Sequence, residues 1–150
     1  MTAAPPSPAP PLLVIAGPTA TGKTELAIRV AEALVAEGVS AEIVSADSRQ
    51  VYRGLDIGTA KATAADRARV PHHGLDLVDP DRPFSVADFA AHARDVLGAI
   101  GARGGLAILV GGTGFYLRAV GRGLDTDALP HDPDVRERIE TELALGGLPA

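Results

Sequence analysis

Gly17-Pro18-Thr19-Ala20-Thr21-Gly22-Lys23-Thr24 fits the phosphate-loop pattern G-x-x-x-x-G-K-[ST]. The apolar run Leu12-Leu13-Val14-Ile15-Ala16 precedes it and suits a buried strand. Glu25 to Glu37 follows and reads as a helix. Strand, glycine loop and helix start together make an anion cradle. The glycines let backbone N–H groups turn inward, and the helix N-terminus adds its partial positive charge. Lys23 is placed to reach the outer phosphates of a ligand, and the Thr24 hydroxyl to hold a magnesium ion. Gly17 through Thr24 is therefore the expected diphosphate- or nucleotide-binding segment. The alternative is a plain glycine turn between a strand and a helix. The motif points to a phosphate or diphosphate. It does not say which molecule carries that group, nor whether a phosphoryl group moves.

Working outward, the helix after the loop has apolar positions at Leu26, Ile28, Val30, Ala33 and Leu34, and Gly38 can end it. Glu42 to Ser45 is a second strand candidate, which runs into Ala46-Asp47-Ser48. This strand–helix–strand order implies a parallel pair joined by a right-handed crossover. Residues 53–71 read as loop, and Leu75-Asp76-Leu77-Val78 as a short strand stopped at Asp79-Pro80. Ser85 and Asp88 form a variant of the capping box, with Phe84 and Phe89 as the hydrophobic staple of a helix running to about Ala102. Leu106 to Val110 is apolar on both faces, as a central parallel strand would be. Gly111-Gly112-Thr113-Gly114 follows it, then a helix from Phe115. Asp132-Pro133 reads as N-cap and first helical residue of a charged last helix. The sum is an α/β protein: a three-layer, P-loop NTPase-like domain with a parallel sheet. In such sheets ligands bind beyond the carboxyl ends of the strands. The phosphate loop, Asp47-Ser48-Arg49-Gln50 and Gly111-Gly112-Thr113 should therefore meet at one cleft.

Composition narrows the classes. The 150 residues suffice for one domain with a real core, and hydrophobic residues make up 46% of them. Aromatics are only 3%, so that core must be built from Ala, Leu, Val and Ile. The absence of cysteine excludes disulfides and thiol chemistry and fits a reducing, cytoplasmic location. No apolar run has the length of a membrane span, and no signal peptide is visible. Residues 1–11 contain five prolines among small residues and read as a disordered extension, with the folded domain from residue 12 onward. The net charge of −5 argues weakly against nucleic acid but leaves room for a local basic groove.

Asp47 follows a strand by two residues. At the mouth of a cleft it could accept a proton or support magnesium through water; a cap or turn aspartate is the equal alternative. Thr113 lies between glycines at a strand end, where a hydroxyl can approach a ligand, though a plain strand-to-helix turn would look the same. His72-His73 is a poor chelate, because neighbours on a strand point to opposite faces. Asp76, Asp79 and Asp81 fit turn chemistry better than a calcium site. Lys61 reads as an ordinary solvated lysine. Arg136 and Arg138 fall on a solvated helix face, and Arg49, Arg53, Arg67 and Arg69 could add positive charge near the cleft.

Several stretches together resemble one family, the tRNA dimethylallyltransferases or isopentenyl transferases. They are the phosphate loop, the long segment Ser45 to Lys61, Pro71-His72-His73 with Leu75-Asp76 and Asp79-Pro80, Phe84 to Phe89, and Val110 to Leu117. The phosphate loop alone is shared with many kinases; the Ser45–Lys61 segment is far more specific. One departure is Ala62, where the family usually has proline. The resemblance implies transfer of a dimethylallyl group from dimethylallyl diphosphate to the exocyclic amine of an adenosine beside the anticodon of tRNA. In that chemistry Lys23, the loop amides and magnesium neutralise the leaving diphosphate, and Asp47 becomes the leading base. Asp47, Ser48, Arg49 and Gln50 match the family's tRNA-contact segment, and Thr113 and Arg136 match further contact positions. Catalytic weight is thus expected on Asp47, Lys23 and Thr113. The loop would bind the prenyl donor rather than ATP.

The resemblance further implies that the chain is an N-terminal piece, ending before a helical insertion and later basic residues, of a protein that is a monomer at full length. With a net charge of −5 the piece alone should attract tRNA weakly and modify it poorly. Three competing readings remain: prenyl transfer to free adenine nucleotides, a small-molecule kinase of the phosphate-loop class, and a non-catalytic nucleotide-binding module.

Overall fold

The structure, a computed structural model, describes residues 10–123 and 132–147. Four parallel strands form one sheet: β1 (Leu12–Ala16), β2 (Ala41–Ser45), β3 (His72–His73) and β4 (Leu106–Gly111), in the order β1-β4-β2-β3. The helices are α1 (Lys23–Ala36), α2 (Ala64–Arg69), α3 (Val86–Ala102), α4 (Gly114–Gly121) and α5 (Pro133–Gly146).

The period-two alternation of β4 builds the layers. Ile108 and Val110 face one side and join Ile43, Val70 and the α1 residues Ala27, Ile28 and Ala31. Ala107 and Leu109 face the other side and join Val44, Phe89, Ala93, Ile100 and Tyr116. Ile108 and Leu109 are both fully buried, which is why β4 must be apolar on both faces. The core is aliphatic as expected, with one aromatic stack: the Phe89 and Tyr116 rings lie 4.0 Å apart and nearly parallel. Each large aliphatic side chain so buried contributes about 1.5–3 kcal/mol, more than any one helix cap at about 1 kcal/mol.

The caps nevertheless set the boundaries. Ser85 and Asp88 form the expected reciprocal capping box, and Phe84 packs against the cluster that holds Phe89. Asp132 caps α5, with Pro133 in the first turn.

Four expectations need correction. The strand expected at Leu75–Val78 forms instead at His72–His73, which pairs with Ile43 and Val44. Beyond it the chain turns at Gly74 (φ 78°), and Leu77 and Val78 donate their N–H groups to the Val51 carbonyl. Residues 53–71, read as loop, contain α2, opened by a second capping box between Thr63 and Asp66. β1 and β2 are not neighbours, because β4 lies between them. Finally, the proline-rich segment does not extend as far as residue 11: Pro10 is buried, and the Pro11 carbonyl accepts from Ala107 N at 3.0 Å. Residues 1–9 lie outside the described residues. β1 forms the sheet edge, and there Leu13 and Val14 stay 39% and 45% exposed despite their apolar character.

His72 and His92 each bury an Nε2 that has no hydrogen-bond partner among the described residues. Burial pushes both imidazoles below their ordinary 6.5. The unfolded chain therefore binds these protons at a higher pH than the folded one, so their stability contribution is complete above about 6.5 and is lost as pH falls. Asp66 and Asp88, held low by Thr63 and Ser85, add a second loss as pH falls through and below their ordinary 3.8. The thermal midpoint is expected to fall between about pH 7 and pH 5, and His92→Leu to reduce that fall. Melting curves across this range check it; a midpoint independent of pH would contradict it.

Candidate diphosphate cleft

The phosphate loop joins β1 to α1. Gly22 adopts the left-handed conformation (φ 76°) at the N-cap of α1. A residue with a Cβ is strained there, and the turn leaves the first helical N–H groups pointing outward. No side chain caps them, so they are available to an anion. The Thr21 hydroxyl donates to the Pro18 carbonyl at 2.9 Å. The Lys23 ammonium folds back to donate to that same carbonyl and lies 3.4 Å from the Thr21 hydroxyl. A bound diphosphate would compete for this ammonium.

The loop opens on a cleft of about 330 Å³ whose walls include Thr19 to Glu25, Asp47, Gln50 and Gly111-Gly112. The three strand ends expected to converge do so. The Asp47 carboxylate lines the cleft, and its Oδ1 accepts from Arg49 N at 2.8 Å. Its second oxygen takes no hydrogen bond from a described residue. Gln50 accepts from the Ser45 hydroxyl at 2.8 Å and donates to the Thr59 carbonyl at 3.0 Å, so its amide orientation is fixed from both ends. Thr113 stands just behind the wall, where its hydroxyl accepts from Ser48 N at 2.9 Å. It ties the end of β4 to the segment after β2.

Other sequence candidates lie elsewhere. Gly17 and Pro18 form the base of the loop rather than the cleft wall. Arg49 is exposed and has no carboxylate partner among the described residues. Arg53, Arg67 and Arg69 are not free cations: they pair with Asp79 at 3.0 Å, Asp76 at 2.8 Å and Glu32 at 2.8 Å. The expected basic patch is therefore largely neutralised within the chain. Arg136 sits on exposed α5 and pairs with Glu140 at 2.9 Å. His72 is the exception: it lines the cleft and donates from Nδ1 to the Val70 carbonyl, whereas His73 contacts Glu42, so the two imidazoles do not act together.

Sequence reasoning missed Ser45, Thr59, Ala60 and Ala62 as cleft walls. It also took Lys61 for solvated, whereas its side chain is 1% exposed and its ammonium contacts Asp56 and Asp76, each at 2.7 Å. Ser45 and Thr59 are polar neighbours of the Gln50 segment and could have been flagged; Ala60 and Ala62 carry no such signal. For Lys61, Asp56 five residues earlier was the visible signal.

Fold and cleft define a phosphate-loop α/β domain with its cleft at the carboxyl ends of a parallel sheet. The chain belongs to the IPP transferase family, whose model matches residues 50–150; a model described as isopentenyl transferase matches residues 10–71. It is 52% identical over 141 residues to the tRNA dimethylallyltransferase of Syntrophobacter fumaroxidans, covering 93% of this chain and 39% of that protein. Among solved structures it is similar to the full-length tRNA isopentenylpyrophosphate transferase of Bacillus halodurans, with a TM-score of 0.72 and 44% identity over 91% of this chain and 44% of that one. A eukaryotic dimethylallyltransferase acting on tRNA is similar at a TM-score of 0.70 and 28% identity, covering 93% of this chain and 33% of that one. The chain thus spans about two fifths of the length of the curated relatives it matches. Among the described residues no helix is long and apolar enough to cross a membrane.

Lys23→Ala is expected to weaken binding of inorganic pyrophosphate about tenfold to a hundredfold, the worth of one or two charge-assisted hydrogen bonds. Titration calorimetry checks this; equal affinity in variant and parent would remove Lys23 from the anion site.

Proposed function

We propose that this domain serves a transferase that moves a dimethylallyl group from dimethylallyl diphosphate to the exocyclic amine of an adenosine beside the anticodon of tRNA. The observation that carries the reading is the placement of the Asp47 carboxylate in the wall of the same cleft that the phosphate loop opens on. In the reaction the allylic C–O bond of the donor breaks and pyrophosphate leaves. A new C–N bond forms to the adenosine amine, and one amine proton must go to an acceptor. The loop amides and Lys23 neutralise the leaving group, and Asp47 takes the proton through the oxygen that no described residue engages. The target base must leave its stack to enter.

Magnesium fits this donor set. Among the described residues no three His, Asp or Glu side chains cluster to hold a metal unaided. That is the situation in which magnesium relies on substrate phosphates, with the Thr24 hydroxyl in the cleft wall as a protein ligand. Bound there, it would supply charge to the leaving diphosphate. Thr113 supports the site by holding Ser48, and exposed Arg49, outside the cleft wall, would offer a cation to the RNA backbone. The acceptor tRNA, the donor and a cytoplasmic setting are supported by the names of the relatives and by the lack of cysteine.

The test grafts residues 12–147 into a full-length relative and supplies labelled dimethylallyl diphosphate with both unmodified tRNA and free adenosine monophosphate. Label is expected in one adenosine of the anticodon loop. Label in free adenine nucleotide but not in tRNA would reassign the acceptor. In the same graft Asp47→Asn is expected to slow single-turnover transfer about a hundredfold or more with the melting point unchanged. An unchanged rate would make Asp47 a turn residue.

A further inference from the structure

Lys61 is buried beside the cleft yet does not line it. Its ammonium donates to the Tyr52 carbonyl, Asp56 Oδ1 and Asp76 Oδ1, each at 2.7 Å, and so commits all its protons. These acceptors belong to separate stretches: the end of the Asp47–Tyr52 segment, the loop after it, and the turn after β3. Arg67 completes the cluster, donating to Asp76 Oδ2 at 2.8 Å and to the Ala62 carbonyl at 3.0 Å. Two cations thus face two carboxylates. Burial disfavours the ammonium, but the hydrogen bonds and charges of Asp56 and Asp76 outweigh it and hold Lys61 above its ordinary value. Lys61 is the buried member, 1% exposed, and removing it is costly because Asp56 and Asp76 lose the cation they share.

The residues on both sides of Lys61 do line the cleft: Thr59 and Ala60 before it, Ala62 after it. The Thr59 carbonyl holds the Gln50 amide at 3.0 Å. Backbone strain collects at the same place. Ala60 (φ 48°) and Asp76 (φ 55°) are left-handed without being glycine. Such conformations are unfavourable for residues other than glycine and persist only where surrounding contacts impose them. Lys61 follows the first and is bonded to the second.

We propose that Lys61 is a positioning residue of the cleft: clamped by Asp56, Asp76 and the Tyr52 carbonyl, it fixes the Thr59–Ala62 wall and, through that wall, the Gln50 side chain. The phosphate loop stands on the other side of the cleft and does not depend on the clamp. Loss of Lys61 therefore loosens one wall selectively. The ligand part of the following test rests on the proposed prenyl donor; the exchange part does not.

Lys61→Met and Asp56→Asn are compared with the parent chain by amide hydrogen exchange without ligand. Asp56 is 63% exposed, so its substitution removes one bond of the clamp at little risk to folding. Lys61→Met is expected to speed exchange in residues 53–62 about tenfold or more, and Asp56→Asn by less, while residues 106–110 of β4 stay protected. In calorimetry Lys61→Met should keep its affinity for inorganic pyrophosphate within about twofold. It should lose about tenfold in affinity for a non-reactive thiolo analogue of dimethylallyl diphosphate. Unchanged exchange in residues 53–62 in both variants overturns the proposal. So does exchange that rises equally in β4, which marks a merely structural lysine. A parent that does not prefer the prenylated analogue over pyrophosphate overturns the donor reading instead, and exchange then decides the role of Lys61 alone.

Discussion

The cleft depends on how closely the ends of β2 and β4 approach. A Cβ on Gly111 would overlap the Ala46 carbonyl oxygen, so only glycine fits there. That closeness lets a small ring of hydrogen bonds form. Ala46 N donates to the Val110 carbonyl at 2.7 Å, Thr113 N to the Ala46 carbonyl at 3.3 Å, and Gly17 N to the Gly111 carbonyl at 3.4 Å. Thr113 Oγ1 then receives Ser48 N. The base of the phosphate loop, the end of β4 and the segment carrying Asp47 are thereby tied into one unit. Neither the loop nor Asp47 has much chemistry alone; the shared cleft follows from this junction.

Around the junction charge is arranged economically. Arg53, Arg67, Arg69 and Arg136, which could have attracted a polyanion, are paired within the chain. Among the described residues, what stays available at the cleft is Lys23 and the N-terminal amides of α1, with exposed Arg49 outside its wall. This is a local anion site more than a long-range attractor, in keeping with a net charge of −5. It suits a compact diphosphate better than it suits an extended nucleic acid, whose grip would need further basic surface. The relatives, more than twice as long, have room for such surface.

Much of this was legible in the sequence because the signals are local. The loop pattern, the Ser85–Asp88 box and Asp132-Pro133 each state a backbone requirement within a few residues. The doubly apolar β4 announced its central place. What failed was longer in range. Strand order could not be read because β4, last in sequence, inserts between β1 and β2. The edge strand was misplaced because Gly74 turns the chain where apolar alternation seemed to continue. The α2 box, Thr63 with Asp66, was readable by the same rule that found Ser85 and was passed over amid loop-forming residues. Lys61 was misread because its partner Asp76 lies fifteen residues away, a contact only the fold creates. The arginines were misread for the same reason.

The central claim is that the phosphate loop serves a prenyl diphosphate rather than a nucleoside triphosphate. Competition calorimetry on this chain with magnesium present tests it most directly. Dimethylallyl diphosphate and pyrophosphate are expected to displace one another from a single site and to bind more tightly than ATP. ATP binding that dimethylallyl diphosphate cannot displace, or tighter binding of ATP with loss of its terminal phosphate, would contradict the claim and return the domain to the kinases.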